Sequence, residues 1–433
     1  MVFLSCKSLF CVIKHLSLPL RLRSYSQLRP LGVPQSLEPS CSEVSQLRIF
    51  PSLGFTILDP SVRFEEENLP DYLKERYYPV RIGELSNTRY QVITKLGFGS
   101  SSTVWLCRGL HNERYLVLKV HVRTRKQPPE VQISKHLRAS KEFHGGEKYV
   151  RLVLDSFEVP GPYGVHPCLL YEPAGIDIRD YIHCLEGDAL PEDLLRPTLR
   201  FILIALDYLH QANVIHTDVQ PNNILLGIDD ESILAEMEED ELSNPAPRKC
   251  LEDRTIYATR AMPLTGGEPI LADLGEARLA EGNQKQTGLI MPSVYRAPEV
   301  MLGMNWDSKV DIWAVGQTAW TLFEQGHLLK NQPLENDTDN AQRFAEMISF
   351  LGPPPLEFLR RSEESLKFWD ENGNWRNSVN IQEQSLESRE SRLQGDDKIL
   401  FLRFLRKVLR WLPEERPTAK ELLLDEWLRG SDY

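Results

Sequence analysis

The stretch Val214-Ile215-His216-Thr217-Asp218-Val219-Gln220-Pro221-Asn222-Asn223-Ile224-Leu225 decides how the chain is read. It sets one carboxylate, Asp218, five positions before an amide, Asn223, in a loop bracketed by two apolar runs patterned like short buried strands. That spacing suits phosphoryl transfer. A carboxylate accepts the proton of an attacking hydroxyl, and an amide oxygen a few residues on is a hard ligand that helps hold magnesium against phosphates. Taken alone, the stretch also reads as a polar loop after a helix, with His216 a satisfied core histidine.

Working towards the amino terminus, a long apolar helix, Leu199 to His210, feeds the loop. Further back, Tyr90 to Leu96 alternates as a strand does, Gly97-Phe98-Gly99 follows, and Ser102 to Leu106 is a second β-rich run. In such a hairpin, glycines let backbone N–H groups approach phosphate oxygens with no Cβ in the way. Leu96, Gly97, Phe98, Gly99, Ser100, Ser101, Ser102, Thr103 and Val104 are therefore the candidate cover over a nucleotide. A hairpin of this kind is as often just a turn.

A third strand, Arg114 to Val120, carries Lys119 among apolar neighbours, and Glu130 opens an amphipathic helix running through Leu137. An ion pair between Lys119 and Glu130 would aim the ammonium at the α- and β-phosphates. Strands are expected at Tyr149 to Phe157 and Cys168 to Tyr171. The linker Glu172-Pro173-Ala174-Gly175 then reads as a hinge between lobes, with backbone at Glu172 and Ala174 facing an adenine edge and Tyr171 at the back of the pocket.

Working towards the carboxyl terminus, 50 positions separate Asn223 from Asp273, far more than a tight hairpin needs. The excess holds Asp229-Asp230-Glu231 and Glu236, Glu238, Glu239, Asp240 and Glu241, and it reads as a solvated acidic insertion with some helix, at about 228–268. Residues 38–89, with Pro39, Pro51, Pro60 and Pro70, read as a loosely structured extension. Residues 1–37 contain no acid and alternate Lys7, Lys14, Arg21, Arg23 and Arg29 with leucines and serines, the make-up of a mitochondrial transit peptide.

Composition narrows the class. At 433 residues, 41% hydrophobic and 26% charged, the chain has the make-up of a soluble two-lobed protein with extensions, and no run of eighteen apolar residues marks a membrane span. A formal charge of -12 argues against nucleic acid and leaves room for a basic protein substrate. Seven scattered cysteines without a C-x-x-C pair indicate neither a disulfide framework nor a zinc site.

Four more segments come after the catalytic stretch in order: Ala272-Asp273-Leu274-Gly275, Tyr295-Arg296-Ala297-Pro298-Glu299, Asp311-Ile312-Trp313-Ala314-Val315-Gly316 and Arg416-Pro417-Thr418-Ala419. With Gly97, Gly99, Lys119, Glu130, Asp218 and Asn223 they resemble the eukaryotic protein-kinase signature over residues 90–428. Tyr77 to Leu85 leading into Arg89-Tyr90-Gln91-Val92, Ser102 to Leu106, His216-Thr217-Asp218 and Ala272 to Gly275 are similar to the SR-protein kinases, in particular their fungal serine-kinase members.

That resemblance implies an α+β bilobal fold, with a small β-rich lobe over 90–172 and a mainly helical lobe over 176–428. It implies ATP and Mg2+ as cofactors, Asp218 as base, Asn223 and Asp273 as metal ligands, and Lys119 paired with Glu130. His216, Asp311 and an ion pair from Glu299 to Arg416 are implied scaffold. The implied partner is a protein, arginine-serine-rich by analogy, phosphorylated on serine or threonine by a monomer in cytoplasm and nucleus, although the leader points to mitochondria. Two departures stand out. Thr217 replaces the arginine that binds a phosphorylated activation loop, which predicts activity without such phosphorylation. Gln220 replaces a lysine that contacts the transferred phosphate, which predicts low turnover. A pseudokinase binding module and a small-molecule phosphotransferase remain alternatives at this point, the latter lacking a counterpart of Ala297-Pro298-Glu299.

Overall fold

The computed structural model describes residues 46–140, 143–280, 285–330, 334–376 and 379–430; the leader at 1–37 lies outside them. Six antiparallel strands form one sheet in the order β1 (Leu85–Ser86), β2 (Tyr90–Gly99), β3 (Ser102–Gly109), β4 (Tyr115–His121), β6 (Gly164–Tyr171), β5 (Asp155–Gly161). A helix, α1 (Pro129–Ala139), crosses it. The period of two along β4 sorts its side chains between the faces. Leu116, Leu118 and Val120 join Trp105, Cys107 and Cys168 on one face, while Val117 packs with Val131 of α1, Leu169 and Tyr171 on the other. Lys119 follows Val117 by two and so shares its face, the one turned to α1 and the cleft. The strand expected from Tyr149 begins only at Asp155, because Glu147–Tyr149 is a 3-10 turn and the backbone at Val150 and Arg151 pairs with Leu271, outside the six-stranded sheet.

The larger lobe follows a short helix, α2 (Ile178–His183), and is built around α3 (Glu192–Gln211) and α6 (Lys309–Phe323), with the single turn α5 (Pro298–Met301) between them in sequence. Helix α6 is buried on nearly every side, as a predominantly apolar helix at a domain centre is, and the polar Asp311, Gln317 and Thr318 are buried with it. Two short ladders set the geometry of the cleft. Strand β7 (Val214–Ile215) pairs with β12 (Arg278–Leu279), and β8 (Ile224–Leu226) pairs with β11 (Pro269–Leu271). The loop between β7 and β8 and the loop between β11 and β12 are thereby held side by side.

Two segments depart from expectation. The acidic block is solvated only in part: Asp229, Asp230, Glu231, Glu236, Glu239 and Asp240 are exposed, whereas the helix that the block forms is packed on the sheet. Helix α4 (Ser232–Ser243) packs Leu234 and Met237 onto Ile93 and Leu106, and strands β9 (Arg248–Cys250) and β10 (Thr255–Tyr257) form a hairpin beyond it. Glu238 and Glu241 are buried, since each meets cations brought from elsewhere: Arg48 and Arg108 approach Glu238, while Arg248 and Arg260 bind Glu241 at 3.2 and 3.0 Å. Nor is the extension loose where it is described. Tyr78, Val80 and Ile82 cover the outer face of the sheet, and Glu66 and Glu67 pair with Lys95 and Lys249.

Candidate active site

The loop between β7 and β8 adopts a conformation that must be held. Thr217 is β-branched yet sits at a φ of 66°, a strain on the order of 1–3 kcal/mol. Asp311, fully buried on α6, accepts the backbone N–H groups of His216 and Thr217 at 2.9 and 2.8 Å and sits 2.9 Å from His210. His216 is fully buried as well. Its Nε2 lies 3.1 Å from the Ala272 carbonyl and its Nδ1 accepts from the Asp218 amide at 3.2 Å, which fixes the tautomer with the proton on Nε2. The Thr217 hydroxyl donates to the Glu276 carbonyl at 2.8 Å.

Held this way, Asp218 receives two side-chain amides. Gln220 Nε2 donates to Oδ1 at 2.8 Å, and Asn223 Nδ2 donates to Oδ2 at 2.6 Å and to the Asp218 carbonyl at 2.9 Å. Burial pushes the Asp218 carboxyl above its ordinary value, against the pull of His216 and the two amides. A partly desolvated carboxylate with fixed orientation is suited to taking a proton from a hydroxyl.

Across from it, Asp273 sits at a φ of 63°, with its carboxylate accepting the Gly275 amide at 3.2 Å and facing Lys119 at 3.3 Å. Burial would raise this carboxyl, yet Lys119 and the Gly275 amide hold it below the usual range. Lys119 donates to Glu130 at 2.7 Å. Burial disfavours its ammonium, but Asp273 and Glu130 outweigh that cost and keep the lysine above its ordinary value. Glu130 is itself buried and also meets the Tyr171 hydroxyl at 3.4 Å. At Gly275 a Cβ would lie 3.0 Å from the Asp273 carboxylate, so a side chain there would press on that carboxylate and shift it.

Above the cleft, β2 and β3 pair Gly97 with Val104, Phe98 with Thr103 and Gly99 with Ser102, leaving Ser100 and Ser101 as the hairpin tip. Neither Gly97 nor Gly99 has a positive φ, and a Cβ on either would meet nothing within 4 Å. No feature of the protein itself therefore demands glycine, and the space that a side chain would fill is open. Leu96 and Val104 pack against the cluster of Val117 and Tyr171, which places them on the cleft face.

At the hinge, the Glu172 carbonyl already accepts two hydrogen bonds from Arg151, at 2.8 and 3.2 Å, and Ala174 is buried. The Arg151 guanidinium lies 5.0 Å from the centre of the Tyr171 ring, and burial lowers it to about 10. Sequence reasoning passed over Arg151, because nothing in its spacing relates it to a carbonyl 21 residues away.

A model of the protein kinase domain matches residues 90–428. The chain belongs to the protein kinase family. It is 45% identical over 381 residues to a serine/threonine protein kinase of Aspergillus fumigatus, covering 87% of this chain and 93% of that one. It is 29% identical to the serine/threonine-protein kinase SRPK of Physarum polycephalum, over 83% of this chain and 90% of that one. Against SRSF protein kinase 3 of mouse it is 25% identical, over 84% and 90% of the two chains. A crystallised kinase domain has the same fold, with a TM-score of 0.62 at 23% identity over 82% of this chain and 99% of that domain. The protein is a serine/threonine protein kinase of bilobal fold, and a domain of this family implies ATP as substrate, typically with magnesium. In this kinase the Glu299–Arg416 pair is bidentate at 2.6 and 2.7 Å and fully buried, and it anchors α5 beneath the cleft.

Proposed function

We propose that this kinase transfers the γ-phosphate of ATP, with magnesium present, to serine or threonine hydroxyls of a basic, arginine-serine-rich protein. The observation that carries the reading is the meeting of Asp218, Asn223, Asp273 and Lys119 at one cleft beneath a glycine-bearing hairpin. Asp218 takes the proton of the attacking hydroxyl. Lys119, steadied by Glu130, binds the α- and β-phosphates, and Leu96 to Val104 close over them. The hinge backbone at Glu172 and Ala174 borders the adenine, with Arg151 competing for the Glu172 carbonyl.

The donor set fits magnesium. Asp273 offers a carboxylate, and Asn223, whose Nδ2 is engaged by Asp218, has its Oδ1 left to turn to a cation; both are hard oxygen ligands. The ion, when bound, neutralises phosphate charge. Gln220 contributes an amide where an ammonium would add positive charge, so it orients the base and stabilises developing negative charge only weakly.

The Thr217 hydroxyl ties the catalytic loop to Glu276 by a neutral hydrogen bond. That link supports activity without phosphorylation of the segment after Asp273. A net charge of -12 and similarity to kinases named SRPK and SRSF protein kinase 3 support a basic, arginine-serine-rich substrate. The same charge supports a kinase with no direct nucleic-acid contact, working as a monomer; among the described residues no helix is long and apolar enough to cross a membrane. The test is transfer of radiolabelled phosphate from ATP to an arginine-serine repeat peptide and to a lysine-serine and an alanine-serine control. Label on the first, abolished by Asp218→Ala, supports the proposal; equal labelling of all three defeats the substrate class, and no labelling defeats the activity.

A further inference from the structure

The hairpin tip that would cover the phosphates is gripped from outside by the extension. Tyr77, just past the 3-10 turn Lys74–Arg76, places its hydroxyl 3.0 Å from the Gly99 carbonyl and 3.2 Å from the Ser100 carbonyl, so one O–H is shared between two adjacent acceptors. The residue is 5% exposed and its ring lies 5.2 Å from that of Tyr72. Its neighbours are fastened in turn. The Arg76 carbonyl accepts from the Arg123 amide at 2.8 Å, the Lys74 carbonyl accepts from Arg254 at 2.7 Å, and the Ile82 amide donates to the Tyr257 hydroxyl at 3.3 Å. A second grip lies just before the tip, where Lys95 approaches the Phe98 ring to 4.9 Å while bonded to Glu65 and Glu66.

The direction of those two carbonyls has a consequence for the other side of the loop. In a planar trans peptide the C=O and the following N–H point in opposite directions. Drawing the Gly99 and Ser100 carbonyls outward to Tyr77 therefore turns the amides of Ser100 and Ser101 the other way. The extension packs on the outer face of the sheet with Val92 and Trp105, whereas Leu96 and Val104 mark the cleft face. Turned away from Tyr77, the amides are left to the side opposite that grip.

We propose that Tyr77 is a positioning residue of the nucleotide site, whose hydroxyl holds the hairpin tip so that the Ser100 and Ser101 amides are aimed at the phosphates of ATP. This rests on the reading that ATP occupies the cleft. Burial raises the Tyr77 phenol above its usual value, so the group remains a donor across the working pH range. The role is specific to phosphates, because adenine meets Leu96, Val104 and the hinge, none of which Tyr77 touches.

The test is Tyr77→Phe in the full chain, which keeps the ring and removes the donor. Calorimetry with magnesium-ATP and with adenosine separates the phosphate contribution from the rest. We expect ATP affinity to fall by about threefold to tenfold, the usual worth of one such hydrogen bond, with KM for ATP rising in step. Adenosine affinity and KM for the peptide stay as in wild type, the melting temperature falls by no more than a few degrees, about the worth of one buried hydrogen bond, and amide exchange over residues 97–104 quickens. Unchanged ATP affinity overturns the inference, and so does an equal loss for adenosine, which would show general loosening of the lobe. If wild type itself fails to bind ATP, the proposed function falls and takes this inference with it. If wild type binds and Tyr77→Phe binds equally well, the inference alone falls.

Discussion

Lys119 on β4 and Lys95 on β2 belong to one sheet, and each meets glutamate carboxylates, yet their surroundings assign them different work. Lys95 is fully buried and faces Glu65, Glu66 and the Tyr257 carbonyl, three acceptors for the three protons of an ammonium. It has nothing left to offer a ligand. Lys119 meets Glu130 and Asp273 and retains 15% exposure towards the cleft. One proton is therefore free for a phosphate. A saturated lysine is structure, and an unsaturated one beside an opening is a binding group.

The sharpest way to break this contrast is first to remove the chemistry alone. Asp218→Asn is nearly isosteric, keeps the acceptor for Asn223 and needs only a flip of the Gln220 amide to keep that contact, and it should lower phosphate transfer by roughly 10²- to 10⁴-fold with the chain still folded. A parallel loss of folding, seen by circular dichroism, would remove Asp218 from the role of base.

Next come the two lysines themselves. Lys95→Met leaves Glu65 and Glu66 without their cation and should destabilise the chain by about 3 to 5 kcal/mol in urea titrations, while the fraction still folded loses only a small part of its ATP affinity, through the hairpin. Lys119→Met should do the reverse in emphasis, with ATP affinity and kcat falling far more than Lys95→Met lowers them. Comparable ATP defects in the two variants would mean that saturation does not separate their roles.

Gln220→Lys has a smaller effect. Restoring an ammonium next to Asp218 should raise kcat several-fold, about 1 kcal/mol of transition-state stabilisation. No gain would show that the amide does not limit turnover. The smallest expected effect is none: phosphatase treatment of the purified kinase should leave its rate within about twofold, because Thr217 bonds Glu276 through a hydroxyl and carries no cation for a phosphate. Loss of activity on such treatment would refute this.

The catalytic cluster was legible because its members are tied to local patterns. Asp218 and Asn223 lie in one short loop, Lys119 follows the period of β4, and Glu130 opens the next helix. The structure brings Lys119 to both Glu130 and Asp273. The burial of Glu238 and Glu241 within the acidic insertion was missed for an equally physical reason. A run of carboxylates is ordinarily solvated, and composition shows the charge but not the cations that will meet it. Glu241 is buried only because Thr94, from β2, and Arg248 and Arg260, from beyond its own helix, converge on it. The grip of Tyr77 on the hairpin was likewise invisible, since it joins residues 22 and 23 positions apart through a side chain and two carbonyls.

By itself, then, the order of residues determined the kinase family and, through that resemblance, the two-lobed architecture, because the separate motifs that carry the resemblance rest on short spacings and on periodicities of two and 3.6 that neighbouring residues impose. Which charges are buried, which lysine is saturated and what holds the glycine-bearing hairpin were decided only in three dimensions. Electrostatic pairing falls off with distance in space and is indifferent to distance along the chain, so a carboxylate's fate rests on partners that folding alone delivers.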